Sequence, residues 1–385
     1  MESVVVSRRG EERARRGHPW IYRSDVERGE APPGAVVRVV GPRGRPLGFA
    51  FYSSTSEIRL RLVDRGETLA PGFLAERIAA ALAWRRSLLG EPGACRLVHG
   101  EADGLPSLIV DRYADVLVVQ TLSQGSDRLK EQIVEVLVEQ LRPRGILERN
   151  DPRVRLLEGL ERRTGALWGD VPREVVIREG ELDLAVDVWE GQKTGLFLDQ
   201  LENHAAARAY ATGRVLDAFS YTGGFGLQAA ARADRVLSVD VSGEALARLA
   251  RAAAANGLSN VETREANAFD VLRELDDAGE RFETIFLDPP AFAKSKAAVP
   301  KARRGYKEIN LRALRCLSPG GILVTCSCSY NVREPELEEI LSHAARDVGA
   351  SVAVVEKRRQ GRDHPVLLAV PETHYLKCFI LRRLS

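Results

Sequence analysis

The sequence predicts an α/β protein whose C-terminal part is a doubly wound, mostly parallel sheet, preceded by a small β-barrel and an α+β region. Three observations support this prediction. From about Gly191 onward, short apolar runs alternate with helical patterns. Residues 1–70 hold short β-rich runs between Gly/Pro turns. A long helical pattern at 73–89 opens the region between them. We therefore predict three domains, at 1–70, 71–190 and 191–385.

The composition indicates an ordinary globular protein. The chain has 385 residues, of which 44% are hydrophobic and 29% are charged. No apolar run approaches the roughly 20 residues that a membrane span needs, and the N-terminus has no signal-peptide pattern. The five cysteines are odd in number and scattered, which argues against a disulfide framework. We expect a cytoplasmic protein with reduced cysteines and no contact with a membrane.

The first two regions contain several predicted elements. The runs "AVVRVV" and "EIRLRLV" are typical of strands in a small barrel. In the middle region we predict strands at "SLIVDR" and "DVLVVQTL". A helix over "SDRLKEQIVEVLVEQL" follows, with Ser126 as its N-cap, and then two later strands near "VVIR" and "LDLAVDV".

The C-terminal region repeats a strand, a turn and a helix. The segment "GRVLDAFSYTGGFGLQAAARA" has this order, and "RVLSVDVSGEALARLARAAAANG" repeats it with Ser242 as N-cap and Gly257 as the stop. The segments "ETIFLDPPAF" and "GILVTCSCSY" are further strands with polar ends. In an open parallel sheet, ligands bind outside the carboxyl ends of the strands, so we place the functional site there.

The turn after the first of these strands indicates the cofactor. It lacks the G-x-G-x-x-G of dinucleotide enzymes. Its residues are instead Asp217, Phe219, Tyr221, Thr222, Gly223, Gly224 and Gly226. We expect the glycines to let a ligand approach the backbone, Asp240 to accept hydrogen bonds from ribose hydroxyls, and Asn267 to meet an adenine edge. This combination predicts S-adenosylmethionine.

A second motif, "LDPPAF", follows the fourth strand. Pro289 and Pro290 have fixed φ angles and no N–H, so the chain leaves the sheet stiffly and holds the Asp288 carboxylate at the sheet edge. We expect this carboxylate to accept a hydrogen bond from a nucleobase N–H.

The third motif, "LVTCSCSY", places Cys326 and Cys328 two residues apart. Strand residues i and i+2 face the same way, so both thiols are expected to face the cleft. Zinc needs about four ligands, and no second C-x-C or His pair lies nearby. A disulfide between them would be strained. The remaining interpretation is a thiolate nucleophile, which activates pyrimidine C5 by adding to C6. We interpret Cys95, Cys316 and Cys378 as buried apolar residues.

A basic stretch at 294–315, "KSKAAVPKARRGYKEINLRALR", contains eight basic residues and one acidic residue. Beside this chemistry it favours a polyanionic substrate, although a charge run is often only a solvated helix face.

These motifs together resemble the bacterial 23S ribosomal RNA cytosine-C5 methyltransferases that carry an N-terminal PUA domain. The resemblance rests on "GHPWIY", "GEADGLPSLIVDRYAD", "GQKTGLFLDQLENH", "VLDAFSYTGGFGL", "FLDPPAFAKSK" and "LVTCSCSY", and covers essentially the whole chain. It implies a PUA barrel, a strand-strand-helix-strand-strand middle domain and a Rossmann-like class I methyltransferase domain. It also implies 23S ribosomal RNA or a large-subunit assembly intermediate as partner, and a possible homodimer.

The resemblance also implies roles for individual residues. Other RNA C5-methyltransferases read roughly G-G-x-L-V-Y-x-x-C, and counting from Gly320 makes Cys328 the nucleophile. Cys326 then has a supporting role, or the two exchange roles if the strand end bulges, and Asp288 stabilises the adduct. The implied cofactor contacts are Phe197, Gln200, Asp217, Phe219, Tyr221, Thr222, Gly223, Gly224, Asp240, Val241, Asn267, Ala268 and Asp288. The implied RNA contacts are Arg16, His18, Trp20, Lys294, Lys296, Arg303, Arg304 and Tyr306, the last by stacking on a base. No metal is expected, and the base that removes the C5 proton is not identified.

Two other functions fit parts of the pattern. A guanine-N7 ribosomal RNA methyltransferase shares the "YTG" and "DPP" framework but needs no thiol, so "CSCS" weighs against it. An RNA-binding assembly factor with an inactive methyltransferase fold is disfavoured by the intact acidic, glycine and Asp-Pro-Pro positions. A nicotinamide dehydrogenase fits least well.

Overall fold

The computed structural model describes residues 1–293 and 295–385. The fold divides into two compact units. The first comprises Met1–Arg178, Val186–Leu198 and Arg362–Thr373, and the second comprises Glu179–Ala185, Asp199–Gly361 and His374–Ser385. The predicted candidate catalytic residues all lie in the second unit.

A six-stranded sheet occupies the N-terminal part of the first unit. Its strands are β1 (Ser3–Val6), β2 (Trp20–Tyr22), β3 (Val26–Arg28), β4 (Val36–Val40), β5 (Pro46–Tyr52) and β6 (Ile58–Asp64), in the order β2-β6-β5-β4-β1-β3. Alternate residues of β1 and β4 point into the core, where Val4, Val6, Val37 and Val39 are buried. The two predicted strands are confirmed. Helix α1 (Arg8–Arg15) was not predicted, because "RRGEERAR" has almost no apolar residue to mark a buried face.

A five-stranded sheet forms the second part of this unit. Its strands are β7 (Ala94–His99), β8 (Leu108–Tyr113), β9 (Val116–Thr121), β10 (Gly145–Asn150) and β11 (Arg163–Gly169), in the order β11-β10-β9-β8-β7. The associated helices are α2 (Phe73–Leu89), α3 (Gln124–Arg128), α4 (Lys130–Leu141) and α5 (Val154–Leu157). The predicted strands at β8 and β9 and helix α2 are confirmed, whereas β7, β10 and β11 were missed.

Two details of the middle region differ from the prediction. The single helix predicted after Ser126 is two helices, and Ser123 is the N-cap of the first, with Ser126 as its capping-box partner at N3. The predicted later strands, β12 (Glu174–Glu179) and β13 (Leu182–Asp187), are real but form a separate two-stranded sheet. The predicted boundaries at 70 and 190 stay a proposal.

A seven-stranded sheet forms the core of the second unit. Its strands are β14 (Arg214–Ala218), β15 (Arg235–Asp240), β16 (Val261–Glu265), β17 (Phe282–Leu287), β18 (Leu317–Ser327), β19 (Val352–Arg359) and β20 (Lys377–Arg383), in the order β16-β15-β14-β17-β18-β20-β19. Strands β14 to β18 are parallel, and β20 runs antiparallel to both of its neighbours. The order reverses between β14 and β17, which creates the crevice where ligands bind in such sheets.

Helices cover both faces of this sheet. They are α6 (Leu201–Arg208), α7 (Gly224–Ala230), α8 (Gly243–Ala255), α9 (Ala268–Asp277), α10 (Val299–Cys316) and α11 (Glu334–Val348). One face packs on α9, α10 and α11, and the other on α6 and α7. Ser242 caps α8 through its side chain, and Gly257 follows the end of that helix with φ 68°, so both predicted signals are confirmed.

No helix among residues 1–293 and 295–385 combines the length and the apolar character needed to cross a membrane.

Gly48 in β5 and Gly44 in the turn before β5 test how tightly the chain is packed in this part of the fold. Both have positive φ, but a Cβ on Gly48 would lie 1.9 Å from the Asp64 carbonyl oxygen, whereas one on Gly44 would meet no described atom within 4 Å. We expect Gly44→Ala to cost about 1 kcal/mol from backbone strain alone. Gly48→Ala adds a clash with backbone and is expected to cost at least about 3 kcal/mol. Chemical denaturation of both variants measures the difference, and equal losses would contradict this account.

Candidate active site

The carboxyl ends of β14, β15, β17 and β18 meet at one edge of the seven-stranded sheet. The registers pair Ala218 with Leu287, and Leu287 with Thr325. The residues that follow these strand ends are therefore neighbours, although they are far apart in the sequence. This edge contains the three motifs singled out above.

The turn after β14 has a strained backbone. Phe219 and Tyr221 have φ of 66° and 48°, which non-glycine residues seldom adopt, and Gly223 has φ 87°. The Ser220 N–H donates to the Val239 carbonyl at 3.0 Å, and this bond fixes the turn to β15. Such strain persists where the surroundings enforce it, and it is concentrated at ligand-binding sites.

Asp240 at the end of β15 is half-buried and supports this turn. Its Oδ2 accepts a hydrogen bond from the Tyr221 N–H at 2.8 Å, and its Oδ1 accepts one from the Ser242 N–H at 2.9 Å. A carboxylate has about four acceptor sites, so two remain for a ligand. The geometry is compatible with the predicted ribose contact.

Asp217 at the end of β14 is buried. Its Oδ2 accepts a hydrogen bond from the Gly226 N–H at 2.9 Å, and a Cβ on Gly226 would lie 2.6 Å from the same oxygen. Burial raises the pKa of Asp217 to about 7; the Gly226 N–H and His204 oppose this shift, while Asp288 and Asp240 add to it.

The structure adds a second reason for glycine at two positions of the turn and the helix that follows it. Gly226 is needed because Asp217 approaches its backbone, and Gly224 is needed because a Cβ there would lie 2.3 Å from Cε1 of the His204 ring. Close packing within the protein, and not only approach of a ligand, therefore requires glycine at these positions.

His204 was missed by the sequence analysis. It lies on α6, is buried, and its Nδ1 is 2.9 Å from Glu179 Oε1. Burial by itself lowers the pKa of His204, but Glu179, Asp288 and Asp217 outweigh it, so the pKa is raised. In the sequence, His204 is marked only by its position at the end of "FLDQLENH". No feature of the sequence identifies Glu179 as its partner.

Asp288 and Cys328 lie where β17 and β18 leave the sheet. Both are partly buried. The Cys328 Sγ lies 3.8 Å from the Pro289 carbonyl oxygen, so the "DPP" and "CSCS" segments are in contact. The two motif segments therefore meet at this edge, and the roles of Cys328 as nucleophile and Asp288 as its neighbouring carboxylate stay a prediction.

Cys326 does not reach the cleft, contrary to the prediction that both thiols face it. Its side chain is fully buried in the core with Phe225 and Phe286, and its strand partner is Cys378. Burial raises the pKa of the Cys326 thiol well above its ordinary range, and Cys378 and Asp288 raise it further. The i, i+2 rule fails because β18 ends at Ser327, so Cys328 lies outside the strand.

The structure gives the remaining cofactor candidates different surroundings. Gln200 is buried and accepts a hydrogen bond from Asn203 at 2.6 Å, and Ala268 is buried at the start of α9. Asn267 caps α9 by accepting from the Phe269 N–H at 2.9 Å. Other predicted contacts lie at the surface or partly buried: Val241, Thr222 and, in the first unit, Phe197.

Two features fit an adenosyl ligand at this edge. The Ser220 Oγ is buried without a hydrogen-bond partner among the described residues, inside the strained turn. Val241 beside Asp240 is an apolar side chain that is 68% exposed. The Asp240 carboxylate can accept hydrogen bonds from a ribose, and the apolar Val241 side chain next to it can contact the purine that the ribose carries.

The predicted RNA contacts divide into three groups. Lys296 and Arg304 are exposed near the start of α10, and Arg303 forms an ion pair with Glu339 at 2.8 Å. Lys294 lies outside the described residues. In the first unit, Arg16 is exposed, His18 accepts a hydrogen bond from the Trp20 N–H at 3.1 Å, and the Trp20 indole donates to Glu101 at 2.9 Å.

Tyr306 is not available to stack on a base, and this prediction is corrected. Tyr306 lies on the buried face of α10. Its ring is fully buried, and its hydroxyl forms hydrogen bonds with Ser327 at 3.0 Å and Ser329 at 2.9 Å. The basic pattern identified a helix with a charged surface, and Tyr306 belongs to its buried face.

Two protein-family models match this chain. Residues 4–65 match a PUA-like domain, and residues 95–382 match an S-adenosylmethionine-dependent methyltransferase domain. The chain is 43% identical to a ribosomal RNA large subunit methyltransferase I from Shewanella amazonensis, over 95% of this chain and 96% of that one.

Two solved structures share the fold. One is a protein from Streptococcus mutans described as a SAM-dependent methyltransferase, with a TM-score of 0.83 and 20% identity over 99% of this chain and 100% of that one. The other is described as a methyltransferase complexed with S-adenosylhomocysteine, with a TM-score of 0.85 and 20% identity over the same shares. The fold class predicted from the sequence is confirmed, and the cofactor is S-adenosylmethionine. The chain belongs to the S-adenosylmethionine-dependent methyltransferase family with an N-terminal PUA-like domain.

Proposed function

We propose that this enzyme methylates C5 of a cytidine in large-subunit ribosomal RNA, through a covalent adduct between Cys328 and C6 of the base. The observation that carries the proposal is the partly buried Cys328 thiol, whose Sγ lies 3.8 Å from the carbonyl oxygen of Pro289, the residue after Asp288. The similarity to a ribosomal RNA large subunit methyltransferase I supports the substrate class.

A thiol at this place favours C5 of a pyrimidine over a base nitrogen. A ring nitrogen has a lone pair and attacks a methyl donor directly, so its methylation needs no covalent catalysis. C5 has no such lone pair and becomes nucleophilic only when a thiolate has added to C6. Cys328 is partly accessible at this edge, whereas Cys326 is fully buried.

The proposed reaction has three steps. The Cys328 thiolate forms a bond to C6 of a cytosine turned out of its stack, and the electrons of the C5–C6 double bond move to C5 and the ring. C5 then forms a bond to the methyl carbon as the carbon–sulfur bond of the donor breaks, which leaves S-adenosylhomocysteine. A base removes the C5 proton, the double bond reforms and the thiolate departs. Bound S-adenosylmethionine supplies the electrophilic methyl group.

Asp288 is proposed to stabilise the adduct. It follows β17, next to the end of β18, and the two prolines after it hold the backbone. A carboxylate there accepts a hydrogen bond from the exocyclic amine, or from N3 when that nitrogen carries a proton. Addition to C6 moves negative charge toward N3. When N3 carries a proton this charge is neutralised, and the Asp288 carboxylate holds the N3–H by accepting its hydrogen bond.

The cofactor is proposed to bind across the turn at 219–224. Asp240 accepts from the ribose hydroxyls, Asn267 and Val241 contact the adenine, and Asp217 lies near the cationic end. The other proposed contacts are Phe197, Gln200, Phe219, Tyr221, Thr222, Gly223, Gly224, Ala268 and Asp288.

The RNA is proposed to reach the site along the basic side of α10. Lys296, Arg303 and Arg304 supply phosphate contacts, with Arg16, His18 and Trp20 on the PUA-like domain. The substrate is naked 23S ribosomal RNA or an assembly intermediate of the large subunit. A cytoplasmic location and a homodimer remain part of this proposal.

The first prediction separates the two thiols. Cys328→Ala removes the nucleophile, so we expect 5-methylcytidine formation to fall by at least about 1,000-fold. Cys326→Ala is the matched control, two residues away and buried, and is expected to retain activity within about threefold. The measurement uses labelled S-adenosylmethionine, unmodified large-subunit RNA and mass spectrometry of the product. Full activity of Cys328→Ala, or a methylated guanosine as product, would contradict the proposal.

The second prediction concerns the pH dependence of cofactor binding. Because the pKa of Asp217 is about 7, the carboxyl is largely protonated at pH 6 and largely ionised at pH 8. The cationic cofactor favours the ionised form, so binding releases a proton and affinity rises with pH, by up to about tenfold across this range. Isothermal titration should show this rise in the wild type and a flatter profile in Asp217→Asn. Equal slopes in both proteins would exclude Asp217 as the titrating group.

A further inference from the structure

We propose that Lys377 is a positioning residue that holds Cys328 in its thiolate form. The inference deepens the proposed function and rests on it in one respect, namely that Cys328 is the nucleophile. The argument depends on where the Lys377 ammonium lies and on what surrounds it.

Lys377 begins β20 and lies opposite Ser327, the last residue of β18. Its side chain is 2% exposed. Its Nζ donates to the Ser329 carbonyl at 2.8 Å and to the Tyr375 carbonyl at 2.9 Å. The ammonium is therefore fixed against the carbonyl of Ser329, the residue that directly follows Cys328.

Within residues 1–293 and 295–385, no carboxylate is in contact with this buried cation. Among the described residues its hydrogen-bond acceptors are two neutral backbone carbonyls, and it forms no ion pair. An ammonium taken out of water without a counter-ion is costly, so a nearby group that carries negative charge is stabilised by it and stabilises it in return. Cys328 directly precedes Ser329, whose carbonyl the ammonium contacts, so its thiol is an ionisable group of the catalytic edge near this cation.

The titration behaviour of Lys377 agrees with this geometry. Burial lowers its pKa to about 8, and the Cys328 thiolate is the first of the charges that oppose this shift. Glu336 and Glu334 at the start of α11 act in the same direction. Lys377 and Cys328 are thus expected to titrate as a pair.

The other ionisable groups around the pair do not replace Lys377. Tyr306 faces Cys328 from α10, and burial raises its pKa, so it is neutral at physiological pH. The pKa of His374 is lowered, by burial and then by the Lys377 charge, which leaves it neutral as well. Among the residues that the structure describes, Lys377 is therefore a cation that this edge places near the thiol.

Hydrogen bonds also keep the thiol in place beside the ammonium. The Ser329 Oγ accepts from the Ala293 N–H at 3.1 Å and is 2.9 Å from the Tyr306 hydroxyl, which also bonds to Ser327. The two serines that flank Cys328 thus hold the end of β18 in one conformation. The serines of "CSCS" thus have a structural role, because their hydrogen bonds fix the segment that carries Cys328.

The alternative is that Lys377 only ties β20 to the segment after Cys328. A structural tether of this kind leaves the reactivity of the thiol unchanged when it is replaced without unfolding. The two readings therefore differ in the ionisation of Cys328, which can be measured without RNA and without cofactor.

The test compares alkylation of Cys328 by iodoacetamide between pH 5.5 and 9.5 in four proteins: wild type, Lys377→Met, Lys377→Arg and Lys357→Met. Mass spectrometry of the Cys328 peptide gives the rate, and buried Cys326 serves as an internal reference for unfolding. We expect the rate at pH 7 to fall about tenfold in Lys377→Met, with the pH profile moved to higher pH. Lys357, an exposed lysine on neighbouring β19, is the matched control and its variant should behave as the wild type.

Each result decides the inference. Lys377→Arg keeps the charge and should alkylate within about threefold of the wild type, and this variant decides the matter if Lys377→Met exposes Cys326 and proves unfolded. An unchanged profile in folded Lys377→Met, or an equal loss in Lys377→Arg, would overturn the proposal.

A parallel assay for 5-methylcytidine keeps this inference distinct from the proposed function. If the wild type makes 5-methylcytidine but the profile of Lys377→Met does not move, the function stands and the role of Lys377 fails. If the profile moves as expected but no 5-methylcytidine forms, the thiolate pairing stands and the function fails.

Discussion

The whole site depends on the parallel register of β14, β17 and β18, which brings three carboxyl ends to one sheet edge. Asp217, Asp288 and Cys328 are distant in the sequence, and this register alone makes them neighbours. Because the strand order reverses between β14 and β17, a crevice opens there, with the cofactor turn on one side and the thiol on the other. A slip of one residue in either pairing would turn these side chains to the wrong face.

The same edge concentrates ionisable groups that are costly to bury. Asp217 is buried with a pKa of about 7, His204 is paired with Glu179, and Lys377 is buried against backbone carbonyls. These groups lose hydration when the chain folds, and an oppositely charged partner recovers part of the free energy lost. In our account, the cationic cofactor does this for Asp217 and the thiolate of Cys328 does it for Lys377.

Sequence reasoning located the edge well, because the residue at the end of a parallel strand can be identified without knowing how the strands pair. Asp217, Asp240, Asp288 and Cys328 were all found in this way. It failed where burial depends on the tertiary fold. Cys326 was assigned to the cleft because the end of β18 at Ser327 is not visible in an apolar run. The partners of His204 and Lys377 could not be predicted from the sequence, because they come from other parts of the fold.

The most direct test of the central claim is to trap the covalent adduct. RNA that carries 5-fluorocytidine at the target position accepts the thiolate and the methyl group but has no C5 proton to lose, so the adduct persists. We expect wild-type enzyme with S-adenosylmethionine to form a denaturation-resistant complex with this RNA, mapped by mass spectrometry to the peptide that contains Cys328. Attachment through Cys326, or no complex under conditions in which unmodified RNA is methylated, would contradict the account.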